Sequence, residues 1–77
     1  MNKARRKKIE NAQELLQQAM EILQEVNDEE SEALENMPES LQDGERGQQM
    51  QEYIDMLEEA VGNLEEIDGT LEEIAEG

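Results

Sequence analysis

The feature that most constrains the fold of this chain is an apolar heptad repeat in its second half. One apolar residue recurs every seven positions, and a second series lies three residues further along. The first series is Met50, Leu57, Leu64 and Leu71, and the second is Tyr53, Ala60, Ile67 and Ile74. These are the a and d positions of consecutive heptads. They predict a long amphipathic helix that packs against another helix.

The first half of the chain carries the same pattern. Its a series is Ile9, Leu16 and Leu23, and its d series is Ala12, Ala19, Val26 and Ala33. The stripe is widened by Leu15, Met20 and Ile22 in this half and by Ile54, Val61 and Ala75 in the other. The pattern then lapses between Asn27 and Glu32, where Glu30 occupies an a position. We expect this end of the helix to be exposed, bent, frayed or covered by a partner.

Pro38 marks the boundary between the two periodic segments. Proline cannot donate from its nitrogen and disfavours helical geometry in the residue before it. We therefore expect one domain, 1–77, with a basic tail at 1–8, a helix at 9–36, a connection at 37–45 and a second helix at 46–75. In the connection, Leu41 is the expected apolar anchor, and Asp43 or Ser40 the expected cap of the second helix. Two helices of similar length joined this closely predict an antiparallel hairpin.

The apolar stripe is wider than one partner helix can cover. We therefore expect an all-α antiparallel helical hairpin that either pairs with a second copy into a dimeric four-helix bundle or is completed by another protein. In that arrangement the second copy covers Leu15, Met20, Ile22, Ile54 and Val61. The expected core and dimer residues are Leu16, Leu23, Val26, Met50, Tyr53, Leu57, Leu64, Ile67 and Leu71.

Charge is distributed very unevenly along the chain. Of the six basic residues, five lie in the first eight positions, and from Ile9 onward Arg46 is the only base among 22 acids. Such a surface repels nucleic acid and anionic lipid and attracts basic protein surfaces. The tail, Lys3 to Lys8, is expected to neutralise Glu72, Glu73 and Glu76 at the adjacent helix end; the alternative is a nucleic-acid arm, which the surrounding acids disfavour. We expect neither direct nucleic-acid binding nor a membrane partner.

The residue inventory argues against catalysis. The chain has neither His nor Cys, so it has no imidazole base and no thiolate. Its carboxylates recur on an outer helix face, whereas paired-acid catalysis requires two carboxylates in different environments inside a cleft. Aligning Gly69 with the glycine of a calcium loop places Leu64 and Ala75 at positions that need oxygen ligands, so that motif fails. We expect no enzymatic activity, no cofactor and no metal site.

The stretch from Asp28 to Ile67 contains the phrase D-E-E-x-E-A-x-x-N-x-P-E-x-L-Q followed by E-R-G and an acidic amphipathic helix. In this form it resembles a family of short acidic proteins from phages and prophages of Gram-positive bacteria. The resemblance covers about half of the chain and implies a phage origin and a location in the bacterial host cytoplasm, rather than a particular activity. Gly44 stands where the family pattern has a serine, which leaves the cap of the second helix in question.

Three functions are consistent with these patterns. In the first, the chain is an inhibitor whose acidic ladder imitates nucleic-acid phosphates and occupies a basic groove of a host nucleic-acid-binding or defence protein, such as a CRISPR nuclease. Its candidate residues are Glu58, Glu59, Glu65 and Glu66. In the second, a partner recognises the helix break and connection, with candidate residues Glu30, Asn36, Glu39 and Arg46. In the third, the chain is a structural or assembly hairpin without inhibitory activity.

Overall fold

Two long helices dominate the architecture. The computed structural model describes residues 1–77 and contains α1 (Lys3–Glu35), α2 (Glu39–Gln42) and α3 (Glu45–Glu76). Helices α1 and α3 pack side by side, and the molecule is a rod of 58 × 15 × 12 Å. The side chain of Gln13 contacts Glu72, while Ala33 and Met50 line one groove at the other end, so the helices run antiparallel. The predicted all-helical hairpin is confirmed.

Helix α1 begins within the basic tail, at Lys3 rather than at residue 9. The side chain of Asn2 caps it, because its Oδ1 accepts a hydrogen bond of 2.9 Å from the Arg5 backbone nitrogen. The Arg6 guanidinium is half-buried and donates to the Met1 carbonyl at 3.3 Å. The residues Lys3 to Lys8 therefore form the first turns of α1 rather than a separate tail.

The polar stretch at 27–32 does not interrupt α1, which continues to Glu35. Asn27 is buried, with 7% of its surface exposed, and Glu30 and Ser31 are half-buried. Neither a break nor fraying occurs here, because α3 packs along this segment. Asn36 ends the helix, and its backbone N–H bonds to the Glu32 carbonyl.

The connection contains the single turn α2, which begins after Pro38. The Gln42 amide donates to the Met37 carbonyl at 2.8 Å and ties this turn to the end of α1. Leu41, the expected anchor, is 54% exposed, so that prediction is wrong. The prediction that Asp43 or Ser40 caps the second helix is also wrong, because α3 starts after Gly44 without a side-chain cap.

The contact between α1 and α3 is built from the a and e positions of the heptads rather than from a and d. The most deeply buried large side chains are Met20 and Ile54, which are 8% and 5% exposed and both lie at e. The a residues Leu16, Leu23, Met50, Leu57, Leu64 and Leu71 are half-buried along the same line. We call this line the seam.

The d residues flank the seam. Val26, Tyr53 and Ile67, predicted as core, are exposed by 40%, 49% and 49%. Met20 and Ile54, predicted to need a second copy, are instead buried inside the hairpin, and Val61 is half-buried there. The apolar stripe is wide enough for either flank to pair. Gly47 also lies at an e position and is buried against the backbone of Gln42, so the e row already faces inward where α3 begins.

Candidate interaction surfaces

Polar side chains cross the hairpin beside the seam, on the flank away from the d residues. The Gln13 amide donates to Glu72 Oε2 at 2.9 Å and approaches the Asp68 carbonyl at 3.5 Å, and Gln17 donates to Asp68 Oδ2 at 3.4 Å. Asp68 Oδ1 is buried without a hydrogen-bond partner. These contacts join the open ends of α1 and α3. The heptad pattern does not predict these contacts, although Gln13 and Asp68 interrupt the apolar e rows.

The first surface is the acidic face of α3, which consists of the paired glutamates that recur every heptad. They are Glu58, Glu59, Glu65, Glu66, Glu72 and Glu73, and all are exposed. The pairs are about 10.5 Å apart along the helix, since each residue rises about 1.5 Å. The face therefore presents a regular row of negative charge along one side of the rod.

Two glycines lie on the same side of α3. A Cβ added at Gly62 or Gly69 would meet nothing within 4 Å. No backbone of this hairpin therefore needs either glycine for close approach. Because these glycines have no side chain, the helix backbone is uncovered between successive glutamate pairs.

The second surface is apolar. The d and g positions lie on the same side of the hairpin in both helices, because antiparallel helices that share an a/e seam turn equivalent flanks to the same side. We call this surface the apolar face. It is formed by Leu15, Ala19, Ile22 and Val26 of α1 and by Tyr53, Met56, Ala60, Ile67 and Ile74 of α3.

A shallow cleft confirms that the two helices contribute to one apolar face. Val26 of α1 and Tyr53 and Met56 of α3 line it together, with Glu30 at its edge. Met56 is 57% exposed and Leu15 and Ile22 are similarly open. Large apolar side chains that are this open and this close together are typical of an interaction surface.

The apolar face is nearly free of acids. Glu29 is the one acidic residue at its d and g positions, in a chain with 22 acids. The same positions carry three of the bases, Arg5 and Lys8 near the start of α1 and Arg46 near the start of α3. Most of the acids therefore lie on other faces of the rod.

The third surface surrounds the connection. The exposed side chains here are those of Asn36, Glu39 and Arg46. Glu30 lies earlier in α1 and is half-buried. An apolar groove beside them is lined by Ala33, Met37, Leu41, Gly44, Glu45, Arg46 and Met50. The structure therefore brings Asn36, Glu39 and Arg46 to one end of the rod and separates them from Glu30.

No group of three or more carboxylates is arranged so that it could hold a metal ion. Neither long helix contains an apolar stretch sufficient to cross a lipid bilayer.

Comparison of the chain with protein-family models, with curated proteins and with solved structures gave no match.

Proposed function

We propose that this hairpin acts by binding a protein, and that its acidic face occupies a basic surface that normally holds nucleic acid. The partner is a nucleic-acid-binding or defence protein of a bacterial host, such as a CRISPR nuclease, and the hairpin inhibits it in the host cytoplasm. This role fits the resemblance to short acidic phage proteins. The protein needs no cofactor and no catalytic residue for it, and binds neither nucleic acid nor membrane directly.

The observation that carries this proposal is the segregation of charge in the folded rod. The glutamate pairs of α3 are exposed in a straight row, and no base interrupts that row after Arg46. A protein groove that binds nucleic acid is lined by basic side chains. These side chains attract such a row of carboxylates over a distance of about 8–10 Å at physiological salt. The glutamates that we assign to binding are Glu58, Glu59, Glu65 and Glu66.

The test begins with an affinity pull-down from a Gram-positive host lysate at ~0.1 M and ~0.5 M salt. A dominant nucleic-acid-binding partner that is lost at high salt and competed by DNA is the expected result. The purified partner is then titrated with the variant in which Glu58, Glu59, Glu65 and Glu66 are replaced by Gln. We expect binding to weaken at least tenfold, because four charge contacts are lost.

A matched control removes the same number of charges from α1. It replaces the exposed residues Glu10, Glu14, Glu21 and Glu25 by Gln. We expect this variant to bind nearly as well as the natural chain. Equal loss in both variants would show that net charge matters rather than the acidic face, and unchanged binding of the α3 variant would refute the proposal.

A second candidate function is recognition through the connection without nucleic-acid mimicry. It is favoured by the way α2 is held in place, with the Gln42 amide bonded to the Met37 carbonyl and α3 packed closely at Gly47. A rigid turn presents Asn36, Glu39 and Arg46 in a defined arrangement. Under this alternative, substitution of Glu30, Asn36, Glu39 and Arg46 abolishes activity while helicity is retained, and binding persists at high salt.

We also propose that the hairpin pairs with a second copy into a dimeric four-helix bundle. The exposed apolar face supports this pairing, because it leaves Leu15, Ile22 and Met56 open to solvent in a single hairpin. A purely structural or assembly role is the remaining alternative. It predicts that the pull-down recovers no partner other than the chain itself.

A further inference from the structure

We infer that the apolar face is the dimer interface and that the two hairpins pack across it with their connections at opposite ends. This inference rests on the dimer proposed above and adds the face, the direction and the pairs of residues that meet. The occupant of the apolar face is therefore a second copy of this chain.

Charge is the first argument for a second copy. Each chain carries a net charge of −16, so two copies repel each other unless their acids point away from the contact. The apolar face meets that condition, because Glu29 is its one acid and the glutamate pairs of α3 lie on other faces. No other long side of the rod would allow two such chains to approach.

The second argument is the symmetry of α1 about its own midpoint. Ala19 lies midway between the ends of α1 at Lys3 and Glu35. When two α1 helices lie antiparallel with Ala19 against Ala19, residues whose numbers add to about 38 meet. Leu15 then faces Ile22 of the second copy, so large apolar side chains cover each other on both sides of the central alanines.

The same register brings opposite charges together. Lys8 and Glu29 both lie at g positions of α1, and their numbers add to 37. In the antiparallel pair, Lys8 of each copy therefore faces Glu29 of the other, and the pair occurs twice by symmetry. The single acid of the apolar face thus receives a counter-charge from the second copy.

In the same arrangement the two α3 helices of the dimer also present complementary side chains to each other. The hydrogen bond of Gln13 with Glu72 and the groove that Ala33 and Met50 both line place Ala19 level with the region of Leu64 in the same hairpin. An α3 pair centred at that level sets Ala60 against Ile67 and Tyr53 against Ile74 of the second copy. Ala60 accommodates the larger Ile67, as interdigitated packing requires.

The opposite direction, with both connections at one end, fits less well. It sets α1 against α3 of the second copy at the levels that the two helices have within one hairpin, so that Glu29 lies between Tyr53 and Met56. That contact buries a carboxylate against apolar side chains without a counter-charge. The geometry therefore favours connections at opposite ends.

Cysteine cross-linking tests the direction, because the natural chain contains no cysteine. The variant Ala19→Cys should form a covalent dimer rapidly on mild oxidation, since a disulfide needs Cα atoms within about 4.4–6.8 Å. Ala60→Cys is the matched control, because Ala60 faces Ile67 rather than itself and should cross-link much more slowly. Circular dichroism of both reduced variants verifies that the helices are intact.

A mixture of two single variants distinguishes the directions. Chains with Ala19→Cys and chains with Ile67→Cys would cross-link to each other if both connections lay at one end. With connections at opposite ends, the mixed product should be minor and the Ala19→Cys homodimer should dominate. A dominant mixed product would overturn the direction inferred here.

A charge exchange provides an independent readout. Lys8→Glu should weaken dimerisation about tenfold by sedimentation equilibrium, because each of the two symmetric pairs becomes repulsive. Adding Glu29→Lys should restore most of the loss, whereas the control Lys7→Glu, which lies on another face, should have little effect. Failure of the restoring substitution would contradict the Lys8–Glu29 pairing.

These experiments distinguish whether the dimer exists from how its two hairpins are arranged. Sedimentation of the natural chain as a single 8.8 kDa species at high concentration would overturn both the dimer and its arrangement. A dimer whose Ala19→Cys variant does not cross-link would overturn the arrangement alone. Neither result bears on the acidic face, whose role is tested separately by the partner titration.

Discussion

Gly47 lies so close to Gln42 that no larger residue fits between α2 and α3. A Cβ built at Gly47 would lie 2.8 Å from the Cα of Gln42 and closer still to its carbonyl oxygen. Both contacts are with backbone, so neither can be relieved by rotation of a side chain. This close approach fixes the connection on the start of α3.

We expect Gly47→Ala to lower the free energy of unfolding by about 1–3 kcal/mol, because the added methyl forces the α2 turn away from α3. At an ordinary exposed helix position, replacing glycine by alanine raises the free energy of unfolding instead. The controls are Gly62→Ala and Gly69→Ala, which meet nothing within 4 Å and should each stabilise the helix by about 0.8–1 kcal/mol. Urea unfolding followed by circular dichroism at one fixed protein concentration measures all three. Stabilisation by Gly47→Ala would contradict the close packing.

Asn27 places a buried polar group on the seam. It is 7% exposed, and its Oδ1 has no hydrogen-bond partner. We expect Asn27→Leu, which nearly preserves volume, to raise the free energy of unfolding by about 1–3 kcal/mol, because the cost of the buried unpaired oxygen disappears. Thermal denaturation provides the measurement, and the exposed residue Asn11, changed to Leu, is the control. A destabilised Asn27→Leu protein would show that the oxygen is satisfied in solution.

Gln13 joins the open ends of the hairpin through its contact with Glu72. The hydrogen bond of 2.9 Å links residues that are 59 positions apart in the chain. We expect Gln13→Ala to cost about 0.5–1.5 kcal/mol of stability. A double-mutant cycle with Glu72→Ala should give a coupling energy well above the error of about 0.3–0.5 kcal/mol that additive sites show. Strict additivity would mean that the contact contributes nothing.

The acidic row of α3 should make stability depend strongly on salt. Like charges three or four residues apart on one helix each cost about 0.2–0.5 kcal/mol at low salt, and Asp55 and Asp68 lie at that spacing from glutamates of the row. We expect the melting temperature to rise by about 5–10 °C between ~0.01 M and ~0.5 M NaCl, because salt screens this repulsion. The variant with Gln at Glu58, Glu59, Glu65 and Glu66 should melt higher at low salt and respond less to added salt. A flat salt response of the natural chain would exclude significant repulsion within α3.

The sequence predicted the helical hairpin because that part of the fold depends on local periodicity. The heptads of Leu57, Leu64 and Leu71 and the break at Pro38 were sufficient to predict two long helices and one close connection. It also predicted that the glutamate pairs are exposed, since b and c positions face away from any seam. These conclusions require no knowledge of how the two helices meet.

The choice of seam was decided only by the tertiary structure. The row of Met20 and Ile54 and the row of Val26 and Tyr53 are both apolar, so the pattern alone allowed either to face inward. The structure buries Met20 and Ile54 and leaves Tyr53 exposed. Gly47, buried against Gln42 at the start of α3, belongs to the same inward-facing row as Ile54.

The cap of α3 and the start of α1 show the same division. Asn2 caps α1 through a local side-chain bond that begins the helix at Lys3, whereas α3 starts at Gly44 without such a bond. The sequence by itself determined the two helices, their antiparallel direction and the exposed acidic row, because those follow from residues a few positions apart. The tertiary structure decided which flank became the apolar face, because both flanks are apolar and only the packing of α1 against α3 distinguishes them.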